Sequence, residues 1–213
     1  MKKLVGILLL SSLFNSCFIV KAQDSSNDYL RGKFYASVKN NFLVATEKMN
    51  DNRFAQTVIM MLESDQNGAW GIVINKPLGT MPIALLIDPS LNTSKERERL
   101  FGINVPIYWG GPVDVHEIFI LHSTEYQSET TKRFGDISIS QDYNILFDIA
   151  RSEGPKKNLI ILGYSGWGSG QLEGEMEKDS WVLSEIDIDQ DLIFKTDNEK
   201  KWSIAIKNSF IRL

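Results

Sequence analysis

The fold class of this chain is decided by two apolar runs and the turn between them: Thr57-Val58-Ile59-Met60-Met61-Leu62, then Asp65-Gln66-Asn67-Gly68, then Ala69-Trp70-Gly71-Ile72-Val73-Ile74-Asn75. A continuous apolar run of strand length is typical of a strand covered on both faces of its sheet. The Asp/Asn/Gly sequence between the runs is a strong turn signal. Together the three segments predict an antiparallel hairpin.

Further elements are predicted on both sides of this hairpin. Apolar runs predict strands at 41–46, 106–109, 118–122, 159–162 and 181–183. Helices are expected at 81–87, 142–151 and 202–210, with an acidic helix after residue 170 and a charged surface excursion at 93–101. Because strands and helices are mixed without regular βαβ alternation, the class is α+β, and the lack of a linker predicts one domain.

The N-terminus has the three-part layout of a secretory signal peptide. It consists of the basic start Met1-Lys2-Lys3, an apolar run over 4–14, and Val20-Lys21-Ala22 before a polar tract. The apolar run is about half the roughly 20 residues that a membrane-spanning helix needs. We therefore expect a signal peptide at 1–22, a loose polar tail at 23–33, and a periplasmic or secreted domain at 34–213 without a transmembrane segment.

Two alternatives for this segment follow from the same residues. Cleavage before Cys17, the single cysteine of the chain, makes that residue a lipid anchor. Cleavage after Ala22 leaves no thiol, which excludes structural disulfides and cysteine zinc sites. An uncleaved, buried N-terminal helix is the other alternative, and the polar tract after Ala22 argues against it.

The charge balance argues against nucleic acid as a partner. Removal of residues 1–22 takes away Lys2, Lys3 and Lys21 and no acid, which leaves 20 basic and 27 acidic residues and a net charge of about −7. Such a chain repels a phosphate backbone on average. Beyond pairs such as Lys156-Lys157 and Lys200-Lys201 there is no basic cluster. We therefore expect no nucleic-acid partner.

The most distinctive segment is Gly163-Tyr164-Ser165-Gly166-Trp167-Gly168-Ser169-Gly170-Gln171-Leu172-Glu173-Gly174-Glu175. It lacks the Gly-Lys-Ser/Thr of a phosphate-binding loop. Trp167 stands where a hydrolase nucleophile elbow requires glycine, and the glycine spacing does not fit a dinucleotide fingerprint. Two interpretations stay open: a tight connection from strand to helix, with Trp167 packed on the core, or a pocket for a small molecule or peptide.

The titratable residues of the chain do not form a recognisable catalytic or metal-binding motif. Glutamates early in a helix, such as Glu173, Glu175 and Glu177, are favoured by the helix dipole alone. His116 and His122 are the only histidines, and each is more typical of a structural hydrogen-bonding residue. We therefore predict no catalytic residue, metal or cofactor, and expect the five tryptophans to serve packing.

Four motifs resemble the YqgE/AlgH family of bacterial proteins. In order along the chain they are 41–46, 68–77, 108–113 and 163–173, with Trp181 after the last. The resemblance implies one α+β domain with a strongly bent or bifurcated, largely antiparallel, partly barrel-like sheet surrounded by helices. It implies no settled activity, cofactor or catalytic residue. Some members are described as transcriptional regulators, but the leader of this chain departs from that pattern.

Three functions are therefore kept. The first is an exported, non-catalytic binding or interaction module that uses the Gly110–Pro112 and Gly163–Gly170 loops, with aromatic anchors beside them. The others are a cytoplasmic regulatory factor and a hydrolase using Ser165, a histidine and Glu173 or Glu175. The candidate binding surface comprises Asn75, Trp109, Gly110, Gly111, Pro112, Tyr164, Trp167, Gly168, Gly170, Gln171 and Glu173.

Overall fold

The computed structural model describes residues 34–36, 38–87, 90, 94–188 and 190–209. The predicted signal peptide, the polar tail and Cys17 lie outside these residues. Within them the strands are β1 (Phe42–Ala45), β2 (Val58–Asp65), β3 (Gly68–Val73), β4 (Pro77–Pro82), β5 (Asn104–Trp109), β6 (Val113–Ser123), β7 (Lys132–Phe134), β8 (Ile137–Ser140), β9 (Asn158–Gly168) and β10 (Trp181–Leu183).

The helical elements are short and lie between or after these strands. The α-helices are α1 (Ser94–Phe101), α2 (Asn144–Ala150), α3 (Gln171–Glu177) and α4 (Asn198–Lys207). Two 3-10 turns, Asn52–Phe54 and Ile83–Leu85, and one π-helical turn, Asp191–Lys195, are also present. None of the helices in this part of the chain combines the length and apolar character needed to cross a membrane.

The long strand β9 joins two halves of one bifurcated sheet. Its last residues pair antiparallel with β3, which continues through β2 and β1 to β10. Its first residues lie between β6, which is antiparallel, and β5, which is parallel. β6 continues to β8 and β7, and β5 pairs with β4. The sheet is thus largely antiparallel and strongly bent, as the family resemblance implies.

Alternating side chains of the central strands fill separate cores. Val58, Met60 and Leu62 point to a cluster between the two halves of the sheet, where Leu159 and Ile161 also lie. The intervening β2 residues face a second cluster that α3 and β10 cover. A third cluster on the outside of the other half contains Ile107, Ile120 and Ile160, with residues of α1 and α2 over it. This two-residue period explains why β2 is apolar at every position from 58 to 62.

Several predicted elements are confirmed, among them the 58–73 hairpin, the helix within 142–151 and the strand at 181–183. The helix predicted at 81–87 is wrong, because Met81 and Pro82 end β4, which pairs with β5. Only the 3-10 turn Ile83–Leu85 follows. The supposed surface excursion at 93–101 contains α1, and the closing helix begins at Asn198 rather than at 202.

The largest local correction concerns the glycine-rich segment. The sequence predicts a loop from Gly163 to Gly170, but β9 runs through it as far as Gly168. The extension exists because β3 supplies hydrogen-bonding partners, with Gly68 opposite Gly168 and Gly71 opposite Ser165. The motif is therefore a sheet wall followed by a short turn into α3.

Candidate functional site

The bend at Gly110-Gly111 and the bend at Gly163, which we call the glycine bends, lie against each other. The Gly110 amide donates to the Leu162 carbonyl at 2.8 Å, and the Gly110 carbonyl accepts from the Ser165 hydroxyl at 3.0 Å. A Cβ at Gly110 would lie 2.1 Å from the Gly163 carbonyl oxygen, and Gly163 itself has a φ of +69°. These positions therefore require glycine, because the backbones approach too closely for a side chain.

The strand segment from Tyr164 to Gly168 forms a wall between two clefts. Tyr164 packs against the core between the two halves of the sheet, whereas Trp167 belongs to the second core. Successive residues of a strand point to opposite faces, so this segment presents a different surface on each side. Gly166 and Trp167 line both clefts.

The larger cleft, which we call the Trp70 cleft, has a volume of about 640 Å³ and is lined by residues that include Glu63, Asp65, Trp70, Phe119, Tyr164 and Gly166. Its floor is an aromatic cluster. The ring centroids of Trp70 and Tyr164 are 5.6 Å apart, and Phe119 lies 5.9 Å and 6.1 Å from them, respectively. Trp70 and Tyr164 are half-buried, so part of each ring faces the cleft.

Carboxylates flank this aromatic floor from two parts of the chain. Glu63 Oε2 accepts from the Trp70 indole Nε1 at 3.2 Å. The pKa of the Tyr164 hydroxyl is raised above its usual value, first by desolvation and then by the nearby carboxylates of Asp114 and Glu117. Glu63, Asp65, Asp114 and Glu117 take part in no ion pair within the described residues, and no Lys or Arg lines the cleft there.

The smaller cleft, which we call the Arg53 cleft, has a volume of about 300 Å³ and is lined by residues that include Asp51, Arg53, Pro112, Trp167, Gln171 and Glu175. Its polar groups mostly satisfy one another. Arg53 makes a two-pronged contact with Asp51, with Nη2 at 2.6 Å and Nε at 3.1 Å from Oδ2. Glu175 accepts from two tryptophan indoles and from Gln171. The polar side chains of this cleft therefore form most of their hydrogen bonds with one another.

A third hollow, of about 700 Å³, is rich in lysine. Each of its four lysines already has an oxygen partner. Lys76 donates to the Ala55 carbonyl, Lys195 and Lys200 pair with Asp191 and Asp197, and the buried Lys201 donates to three oxygens. Each ammonium group in the hollow thus already has an oxygen partner within the protein.

The predicted site residues divide between these surfaces. Tyr164 and Trp167 line the Trp70 cleft, and Trp167, Pro112 and Gln171 line the Arg53 cleft. Gly110 and Gly111 are buried beneath the strand wall, while the Trp109 ring packs against Phe54 at a tilt of 51°, with centroids 5.2 Å apart. Gly168 donates its amide to Gln171, Gly170 precedes α3, and Glu173 lies in its first turn.

Asn75 has a different role from the surface residues. It is only 7 % exposed, its Oδ1 accepts from the Val58 amide and its Nδ2 donates to the Gln56 carbonyl, each at 2.9 Å. The side chain therefore fixes the segment before β2 to the end of β3. These hydrogen bonds hold the fold together, and Asn75 lines neither of the two clefts.

The hydrolase hypothesis receives no support from the serine and histidine geometry. Ser165 is buried and its hydroxyl donates to Gly110. His122 is opposite Asn158, at the other end of β9, where Nε2 meets Ser140 Oγ and Nδ1 meets the Ser123 carbonyl, both at 2.9 Å. Within the described residues no hydrogen bond joins Ser165 to either histidine. The same part of the chain contains no metal-binding group of three acidic, His or Cys side chains.

Sequence reasoning missed Trp70, Glu63 and Asp114 as surface features. Trp70 stands in the 58–73 hairpin, where the sequence predicts a packing role. The available signal was the change from the continuous apolar run to Glu63, which marks the point where one face of β2 becomes exposed. Asp114 has a φ of +44° at the start of β6, a local conformation that no sequence pattern indicated.

The bifurcated sheet, the paired glycine bends and the strand wall define a distinct class of single-domain α+β protein. Comparison with known proteins gives the same class. The AlgH-like family model matches residues 42–213, and the chain belongs to this family. A UPF0301 protein of Pseudomonas putida strain W619 is 37 % identical over 178 residues, covering 83 % of this chain and 90 % of that protein. A UPF0301 protein of Methylococcus capsulatus strain Bath is 34 % identical, covering 84 % and 95 %.

Solved structures show the same architecture. The solution structure of the AlgH protein from Pseudomonas aeruginosa aligns with a TM-score of 0.65 at 36 % identity, covering 82 % of this chain and 88 % of that chain. A crystal structure of a Corynebacterium diphtheriae protein aligns with a TM-score of 0.55 at 14 % identity, covering 80 % and 86 %. At that identity the second likeness concerns the fold alone. The family and the bent α+β fold expected from the motifs are thus confirmed.

Proposed function

We propose that this chain is an exported, non-catalytic binding module, and that its ligand occupies the Trp70 cleft against the Tyr164–Gly168 strand. The observation that carries the proposal is the pair of half-buried rings, Trp70 and Tyr164, 5.6 Å apart on the floor of an open cleft. Half-buried aromatic residues on a rigid support are common anchors of recognition sites.

The rigidity of the support favours binding at this position. Tyr164 and Trp70 lie on paired strands, with Trp70 opposite Gly166, and the contact between the glycine bends fixes the start of this segment. A ligand that contacts these rings therefore meets a preformed surface and needs little ordering of the protein. The groups that a hydrolase would use are engaged elsewhere, since Ser165 donates to Gly110 and Glu175 accepts from tryptophans.

A peptide and fragment screen observed by NMR tests the binding site. The library contains cationic, anionic and uncharged members of equal size. We expect at least one class to shift the Trp70 indole signal together with the Gly166 and Gly168 amides. The Trp202 indole, which donates to the Ala45 carbonyl at 2.7 Å, is the internal control. Failure of every class to shift the cleft signals, or equal shifts at Trp202, would contradict the proposal.

Export is tested separately, by N-terminal sequencing of the protein from separated cell fractions. The leader pattern at residues 1–22 supports a mature chain that begins at Gln23 in the exported fraction. A lipid-modified Cys17 as the first residue would place the protein at a membrane surface instead. An intact Met1 in the cytosol would overturn export and favour the regulatory alternative.

A further inference from the structure

Building on the proposed function, we infer that the occupant of the Trp70 cleft is a basic peptide segment of a partner protein, with arginine side chains over the Trp70 and Tyr164 rings. Three features of the cleft lead to this inference: its aromatic floor, the sign of its charge and the arrangement of that charge.

The aromatic floor suits a cation. The faces of tryptophan and tyrosine attract guanidinium and ammonium groups, most strongly where water is partly excluded. Trp70 and Tyr164 meet edge to face, at an interplanar angle of 75°. Because the rings are nearly perpendicular, their planes have two different orientations on the floor of one cleft.

The charge of the cleft selects the same ligand class. Glu63 and Asp65 line it, and Asp114 and Glu117 lie near the Tyr164 hydroxyl. No described lysine or arginine of the chain neutralises them. A positively charged ligand is therefore attracted by these carboxylates, whereas an anion would be repelled.

The arrangement of the carboxylates favours a peptide over a single small cation. Glu63 of β2 contacts the Trp70 indole, whereas Asp114 of β6 lies near the Tyr164 hydroxyl, and β2 and β6 flank β3 and β9 on opposite sides. A ligand with one charge can satisfy only one of these two positions. A peptide with two arginines separated by a spacer can satisfy both, and the cleft, at about 640 Å³, has room for side chains of this size.

The test uses fluorescence polarisation with the purified protein and three octapeptides, in which alanine alternates with arginine, glutamine or glutamate. We expect the arginine peptide to bind and the glutamate peptide not to bind, with the glutamine peptide at least about fivefold weaker. Affinity for the arginine peptide should fall as NaCl is raised from about 0.05 M to about 0.3 M.

Two variants locate the binding. Trp70→Leu keeps an apolar side chain against Phe119 but removes the π face, and should weaken the arginine peptide about fivefold or more. The double variant E63Q/D114N removes one carboxylate that lines the cleft and one that lies near the Tyr164 hydroxyl, and asparagine tolerates the positive φ of position 114. Its matched control, E98Q/E185Q, makes the same charge change at exposed positions outside the cleft.

The possible outcomes separate this inference from the proposed function. Equal weakening by E63Q/D114N and its control would reduce the binding to non-specific attraction and overturn the inference. Equal binding of the glutamine peptide, lost in Trp70→Leu, would overturn the basic specificity but leave the binding module intact. Binding of arginine amide as tight as that of the peptide would identify a small-cation site instead. If no peptide binds and the NMR screen shows no shifts at the cleft, both proposals are overturned.

Discussion

The indole Nε1 of Trp167 lies 2.9 Å from the Oε2 oxygen of Glu175, and the bond links the strand wall to α3. The same oxygen accepts from the Trp181 indole at 2.8 Å, and the two tryptophan rings meet edge to face, with centroids 5.8 Å apart. A glutamate that resembles a catalytic acid in the sequence therefore acts as the shared acceptor for two buried donors.

Removal of this acceptor should destabilise the domain. Glu175→Ala leaves two buried indole donors without a partner, and we expect it to lower the free energy of unfolding by about 2 kcal/mol or more. Glu175→Gln retains an oxygen that accepts from both and should cost less than about 1 kcal/mol. Urea unfolding measures both, with the exposed Glu177→Ala on the same helix as control. Equal stability of the Ala and Gln variants would show that the shared acceptor is dispensable.

The buried Lys201 should contribute as much to the free energy of unfolding as an apolar core side chain. Its Nζ donates to the Ile74 carbonyl, the Ile193 carbonyl and Asn198 Oδ1, at 2.8–2.9 Å. Lys201→Met keeps the length but leaves these oxygens without a donor, and should lower the free energy of unfolding by about 3 kcal/mol. Its exposed neighbour provides the control, since Lys200→Met should leave the unfolding midpoint unchanged.

The same lysine predicts a pH dependence of stability. Burial lowers the pKa of Lys201 to about 8, whereas in the unfolded chain it has the ordinary value of 10.5. Between these pH values the unfolded chain binds a proton that the folded chain has lost. The free energy of unfolding should therefore rise with pH across this window, by up to about 3 kcal/mol. Chemical unfolding at several pH values should show this rise relative to Lys201→Met, and parallel curves would disprove it.

Addition of one methyl group where the glycine bends meet should strongly lower the free energy of unfolding. In Gly110→Ala the new Cβ would lie 2.1 Å from the Gly163 carbonyl oxygen, so the backbones must separate, and we expect a loss of about 3 kcal/mol. Gly174→Ala is the matched control, because that glycine lies in α3 with open space around it. Alanine there should stabilise the helix by about 0.5–1 kcal/mol. Thermal unfolding of the two variants should shift in opposite directions, and similar shifts would contradict the close approach.

The limits of sequence reasoning can be seen in particular residues. The 58–73 hairpin was predictable because its apolar runs and turn are local signals. Met81 is apolar at a spacing that fits a helix, but β5 offers backbone partners that only the fold brings near, so it lies in a strand. Gly163–Gly168 reads as a loop for the same reason, since the partner that makes it a strand is almost a hundred residues earlier.

The candidate site was predictable in part. Glycines of two separate motifs, Gly110 and Gly163, do meet in space. Which side chains reach the exposed face depends on the two-residue alternation along β9 and on the bend within it. Those features place Tyr164 and Trp167 on opposite faces of β9, and they bring Trp70 and Glu63 into the Trp70 cleft. A list of motif residues contains neither the direction of each side chain nor the neighbours supplied by another strand.

The position of β9 late in the chain has a consequence for biosynthesis. β1, β2 and β3 emerge early from the ribosome, yet the partner of β3 extends to residue 168. Until that segment is translated, the nascent polypeptide exposes an unpaired strand edge and the apolar face beneath it. Such edges attract other chains, so the order of synthesis leaves a long interval in which a chaperone that binds unfolded segments has a substrate.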